Sequence, residues 1–174
     1  MLILKNIVTA LLVMSLASPL GCVEAKEIAK TSQKGHRKVF HVCSSKDTTK
    51  VSLACTMYSE ARGDGYKGMV LVGQTVINRT NNEKFPSKVK SVIFQPNQFS
   101  YTVNKNQKVY EKDLWEEALK ISSYLLFMEN NYPDLRLLTD PSQGATFYHK
   151  KGHRTYWSKY FTKTISYKSH IFYR

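Results

Sequence analysis

The sequence predicts a mainly α domain with a small β portion. Three observations carry this. Apolar residues recur at helical spacing from about residue 51 to residue 130. Glycine, proline and asparagine interrupt these runs where helices should stop. The last third turns to Gly, Thr, Ser, Tyr and His, and part of it alternates like paired strands.

The first helix begins near Val51, with Ala54, Met57, Tyr58 and Ala61 on one face at i, i+3, i+4 and i+7. Gly63 and Gly65 end it. A second helix is expected from about Tyr66 to Arg79, with Tyr66, Met69, Val70, Gly73, Val76 and Ile77 as its stripe. Asn81-Asn82 opens a loop, and a short helix over Pro86 to Phe94 stops at Pro96. The longest helix should run from about Glu111 to Asn130, on the stripe Leu114, Trp115, Ala118, Leu119, Ser122, Leu125 and Leu126. Tyr132-Pro133-Asp134 breaks it. Phe161 to Tyr173 reads as two strands turning near Tyr167-Lys168-Ser169.

Outside these elements the chain divides simply. Residues 1–25 read as a signal peptide: Lys5 gives the positive start, Ile7 to Ala17 is too short an apolar run to span a membrane, and Val23-Glu24-Ala25 offers a cleavage site. Lipidation at Cys22 is a second option, although Pro19 departs from the usual lipoprotein box, and an uncleaved signal anchor is a third. Residues 26–49 form a polar, basic linker without periodicity, and residues 50–174 form the folded domain. The expected location is outside the cytoplasm, secreted or periplasmic.

Of three cysteines, Cys22 leaves or is modified in the first two readings, so Cys43 and Cys55 remain as an even pair in an oxidising compartment. A bridge is the first expectation and two free buried thiols the alternative. The formal net charge is +13, and cleavage after Ala25 preserves it by removing Lys5 and Glu24 together. Such an excess points to an acidic partner, with a merely soluble basic surface as the plain alternative.

Glu60 is the candidate acid. It stands in Tyr58-Ser59-Glu60-Ala61-Arg62-Gly63-Asp64-Gly65, at the end of an amphipathic helix beside its apolar face. Burial there raises a carboxyl pKa. At an ordinary pKa near 4.3, roughly one glutamate in 500 is protonated at neutral pH. At a value near 6, about one in ten carries the proton that glycoside cleavage gives to the departing sugar oxygen. A helix-terminal glutamate paired with Arg62 or a nearby lysine is the competing reading.

The run from Glu60-Ala61-Arg62-Gly63 to Asn78-Arg79 strongly resembles the SleB/CwlJ-type cell wall hydrolases, which pair a Glu-Ala-Arg-Gly motif with a glycine-punctuated helix ending in Asn-Arg. Val92-Ile93-Phe94-Gln95-Pro96-Asn97-Gln98-Phe99-Ser100 is a second match, and Asp140-Pro141 through Gly144-Ala145 to Phe147-Tyr148-His149 a weaker third. The resemblance covers about residues 50–174. It implies a lysozyme-like, lytic-transglycosylase-like fold and a monomeric, cofactor-free enzyme that cuts between N-acetylmuramic acid and N-acetylglucosamine in peptidoglycan glycan strands. Glu60 matches the family's catalytic glutamate.

Asp64 is the nearest second carboxylate, its direction past Gly63 left open. Gln98 and Ser100 are candidate hydrogen-bonding residues for the sugar, and Phe99 and Tyr148 candidate stacking faces. Arg62 either steadies the Glu60 region or caps a helix end. No metal is expected: the five histidines show no paired helical spacing, and His149 and His153 are separated by Gly152. Anionic wall polymers are expected partners through charge. A non-catalytic wall-binding or nucleic-acid-binding protein is the rival class, but the export signal and the Glu60 motif argue against a nucleic-acid role.

Overall fold

A computed structural model describes residues 37–103, 107–153 and 155–174. The signal-peptide reading of residues 1–25 falls outside the described residues. Three helices form the centre. Helix α1 spans Thr49–Ala61, α2 Gly65–Thr80 and α5 Lys112–Asn131. Between α2 and α5 lie two short helices, α3 (Val89–Ile93) and α4 (Ser100–Val103), and α6 (Pro133–Leu138) follows α5. Strand β1 (His41–Val42) pairs antiparallel with β2 (Lys108–Val109). A separate antiparallel sheet has the order β3-β5-β4, from Phe147–Lys150, His170–Tyr173 and Lys163–Tyr167. No helix among the described residues is long and apolar enough to cross a membrane.

The helical stripes become the core. Leu53, Met57 and Tyr58 of α1 meet Met69, Val72, Val76 and Ile77 of α2 and Trp115, Ala118 and Leu125 of α5, all buried. Close approach depends on Gly73: a Cβ there would come within 2.6 Å of both Leu125 Cδ1 and Met57 Sδ. The Thr48 side chain caps α1 by accepting from the Val51 amide.

Several expectations need adjustment. Of the expected linker over residues 26–49, residues 37–49 are described. Residues from Arg37 onward belong to the same compact unit as the rest, and the domain boundary drawn at residue 50 falls inside α1. Pairing with β2 and the packing of Cys43 hold this segment, and neither shows as periodicity. Tyr66, placed inward by spacing, is 57% exposed because the first turn of α2 projects past the core. Pro133 ends α5 and also starts α6, where its fixed φ and missing N–H suit the first helical turn. The expected hairpin exists, with Tyr167 opposite His170, but it gains β3 as a third strand.

Cys43 and Cys55 are bridged across twelve residues of sequence. On the chain-entropy account a loop of this size stabilises by up to about 3 kcal/mol. Protein exported into an oxidising compartment is expected to resist alkylation at both cysteines until reduced; full labelling without reductant would contradict the bridge.

A buried polar network ties the helices to the sheet. Asn78 Nδ2 lies 2.7 Å from Asp140 Oδ2, 3.1 Å from Ser142 Oγ and 3.1 Å from the Ala145 carbonyl. Arg136 donates from below to Gln74 and Asn78, both at 2.9 Å. The neighbouring Arg79 donates from Nε to the Thr146 carbonyl at 2.7 Å. The Asn-Arg pair at the end of α2 thus anchors residues 140–146 and so directs β3 toward the end of α1.

Candidate active site

Glu60 occupies the last turn of α1, and Tyr148 on β3 reaches it, its hydroxyl donating to Glu60 Oε2 at 3.3 Å. The two flank an open groove of about 640 Å³, whose walls also include Arg79, Gln98, Phe99, Ser100, Lys150 and His170. That volume suits an extended ligand of sugar size or larger. Among the described residues, Glu60 is the one carboxylate on the lining.

Burial pushes the Glu60 carboxyl above its ordinary value; the Tyr148 hydrogen bond and the positive charges of Lys150 and His170 offset part of that. The partial negative charge at the C-terminal end of α1 acts in the same direction as burial. Glu60 therefore keeps its proton to a higher pH than a free glutamate. Tyr148 is itself held well above the usual phenol range, by burial first and then by the neighbouring carboxylate, so it remains a neutral donor.

The residues singled out from the sequence separate into two groups. Glu60, Gln98, Phe99, Ser100 and Tyr148 line one groove. Phe99 is only 2% exposed, so it lies beneath the wall and offers no open ring face. It packs instead near the Arg79 guanidinium, 5.7 Å away, which also sits 5.1 Å from Phe85 and 5.9 Å from Phe147.

Arg62 and Asp64 are absent from the groove lining. Arg62 turns back to the Tyr58 and Ser59 carbonyls, at 3.5 and 3.4 Å, which is the helix-capping alternative. Asp64 is buried, accepting from Ser169 Oγ at 2.8 Å and from His170 Nδ1 at 2.7 Å. Burial alone would raise its pKa, but the hydrogen bonds from His170 and Ser169 outweigh this and hold it below the usual range.

Sequence reasoning gave no role beside Glu60 to Arg79, Lys150 or His170. Arg79 was present in the matched Asn-Arg motif, but its contact with three aromatic rings joins segments far apart in sequence. Lys150 and His170 face each other across β3 and β5, a register that only the three-stranded sheet creates. The one cluster of potential metal-binding groups among the described residues is elsewhere: His41, Cys43 and Cys55 bring ligand atoms within 4.8 Å of one another. The bridge engages both sulfurs, and His41 bonds Asp47 at 3.0 Å.

These features place the chain in a class: a small α-rich domain with a half-buried glutamate at a helix end, the one carboxylate that the described residues bring to a polar groove. The Cell Wall Hydrolase family profile matches residues 63–173, and the chain belongs to that family. The match begins three residues after Glu60. A spore cortex-lytic enzyme from Halalkalibacterium halodurans is 32% identical over 123 residues, covering 69% of this chain and 33% of that protein. The spore cortex-lytic enzyme of Bacillus subtilis is 44% identical over 48 residues, 28% of this chain and 16% of that protein. The chain thus spans a third or less of these curated relatives.

Among solved structures, the catalytic domain of a germination-specific lytic transglycosylase, SleB from Bacillus anthracis, superposes with a TM-score of 0.56 at 22% identity, covering 74% of this chain and 96% of that one. The catalytic domain of Bacillus cereus SleB gives 0.54 at 23% identity, covering 74% and 91%. At these identities the superpositions establish the fold: a mainly helical domain with small sheets.

Proposed function

We propose that this protein is an exported enzyme that cleaves the glycan strands of peptidoglycan between N-acetylmuramic acid and N-acetylglucosamine, as a lytic transglycosylase with Glu60 as acid and then base. The observation that carries this reading is Glu60, the single carboxyl on the groove among the described residues, with Tyr148 bonded to it. Family membership and the lytic transglycosylase named among the structural relatives support the substrate class.

A hydrolase of the two-carboxylate kind needs a partner about 5 Å from the acid when it retains configuration, or further away with room for water when it inverts. Asp64 is committed to His170 and Ser169 instead. Intramolecular attack needs no such partner. Glu60 protonates the glycosidic oxygen as its bond to muramoyl C1 breaks; the muramoyl 6-hydroxyl bonds to C1 and returns its proton to Glu60. The products are a 1,6-anhydro-muramoyl end and a free N-acetylglucosamine hydroxyl, and the acid is restored. Holding the hydroxyl near C1 supplies much of the rate, as intramolecular reactions do. Gln98 and Ser100, which line the same groove, hydrogen-bond the acetamide or ring hydroxyls in this reading, and Tyr148 keeps Glu60 in position.

Clearing of purified sacculi by the protein tests this directly; no clearing at any pH from about 4 to 8, the range around a raised carboxyl pKa, would reject it. A cationic surface of net charge +13 should also concentrate the enzyme on anionic wall polymer before specific contacts form. Binding to sacculi is expected to fall as salt rises from about 0.05 to 0.5 M, where the Debye length contracts from roughly 14 to 4 Å. Salt-independent binding would assign recruitment to the groove alone.

A further inference from the structure

His170 stands out among the groove residues. It is 1% exposed, yet it belongs to the groove wall that contains Glu60. Its Nδ1 is fixed by Asp64 Oδ2 at 2.7 Å and lies 3.1 Å from Ser169 Oγ. Its other nitrogen, Nε2, is buried without a hydrogen-bond partner. Buried polar groups are rarely left unpaired, and those that are usually have a role. The ring also meets Tyr148 edge-on, with centroids 5.2 Å apart.

We propose that His170, oriented by Asp64, is a positioning residue for Glu60: it braces Tyr148 against the carboxyl and sets a chargeable ring behind it. The proposal rests on the reading of Glu60 as the acid. A carboxylate that accepts from Nδ1 fixes the tautomer and the ring plane, and leaves Nε2 as the ring's free nitrogen. A positive ring favours the Glu60 carboxylate, and so eases the transfer of the Glu60 proton to the sugar.

The other ionisable groups around the ring are consistent with this. Asp64 comes from the turn after α1, Tyr148 and Lys150 from β3, and Tyr167 from β4 as the register partner of His170. Lys150 and the ring act on Glu60 with the same sign, whereas Asp64 bonds the ring at Nδ1 and is held below its usual range in part by that bond.

The unaltered protein allows a test that needs no activity. The side-chain carboxyl carbon of Glu60 and the ring nitrogens of His170 can be followed by NMR across pH. The expected result is a coupled titration, with a second inflection in the Glu60 curve at the pH where His170 changes charge. A Glu60 curve indifferent to His170 overturns the proposal.

His170→Asn supplies the second arm, because the amide keeps a donor for Asp64 and removes the ring charge. Its sacculus-clearing profile should shift its alkaline limb upward by about half to one pH unit, while its melting temperature stays near that of the parent. An unmoved limb in the folded variant means the ring is only structural, and also overturns the proposal. If the variant does not fold, the NMR titration of the parent decides alone. Failure of the Glu60 reading is distinguishable: Glu60→Gln would still lyse sacculi, with the coupling in the parent intact.

Discussion

Glu60→Gln is expected to fold as the parent does and to lose wall lysis by a hundredfold or more, the usual scale for removing a general acid. The amide preserves the shape of the side chain and can still receive the Tyr148 hydroxyl, but has no proton to give. Because burial raises the Glu60 pKa, the sign of the pH dependence follows. The protonated form is the active acid, so lysis by the parent should decline as pH rises through the raised value. The decline should begin above the pH at which a free glutamate has ionised. Clearing of sacculi by a folded Glu60→Gln protein at near-parental rate would remove Glu60 from the chemistry.

Asp140→Ala should produce the largest loss of stability. Asp140 is 7% exposed and accepts from Asn78 Nδ2, the Ser142 amide and hydroxyl, and the Gly144 amide, at distances between 2.7 and 2.9 Å. Truncation strands several buried donors at once, and each such group costs about 1–3 kcal/mol. A loss of about 3 kcal/mol is expected, a large share of the roughly 5–15 kcal/mol that holds a domain folded. Urea unfolding followed by circular dichroism would read it as a lower midpoint with unchanged slope. Activity should fall below what the folded fraction explains, because residues 140–146 lead into β3 and set Tyr148. A midpoint within about 0.5 kcal/mol of the parent would show that the network is not what anchors the strand.

Helical periodicity made the α portion legible because burial on one face repeats every three or four residues. Thus the inward stripe of α1, with Ala54, Met57, Tyr58 and Ala61, is buried throughout. Elements too short to show a period were missed. Strands β1 and β2 have two residues each, and α4 has four. Strand β3 has only Phe147–Lys150, and its partner β5 begins twenty residues after it ends, so nothing local marks it.

The candidate site was legible only in part, for the same reason. Glu60 could be singled out from its position at a helix end, and the matched motifs supplied Gln98, Ser100 and Tyr148. The direction of Asp64 could not be read past Gly63, and it turns out to face His170, 106 residues away. Arg62 faces the helix carbonyls because that is where the end of α1 leaves acceptors unpaired.

The most direct test of transglycosylation by a lone glutamate is mass spectrometry of the muropeptides released from purified sacculi by the parent protein. The account predicts products ending in 1,6-anhydro-muramic acid, lighter by one water than hydrolytic ones. Products ending in reducing muramic acid would contradict it and would require a second catalytic group or a positioned water beside Glu60.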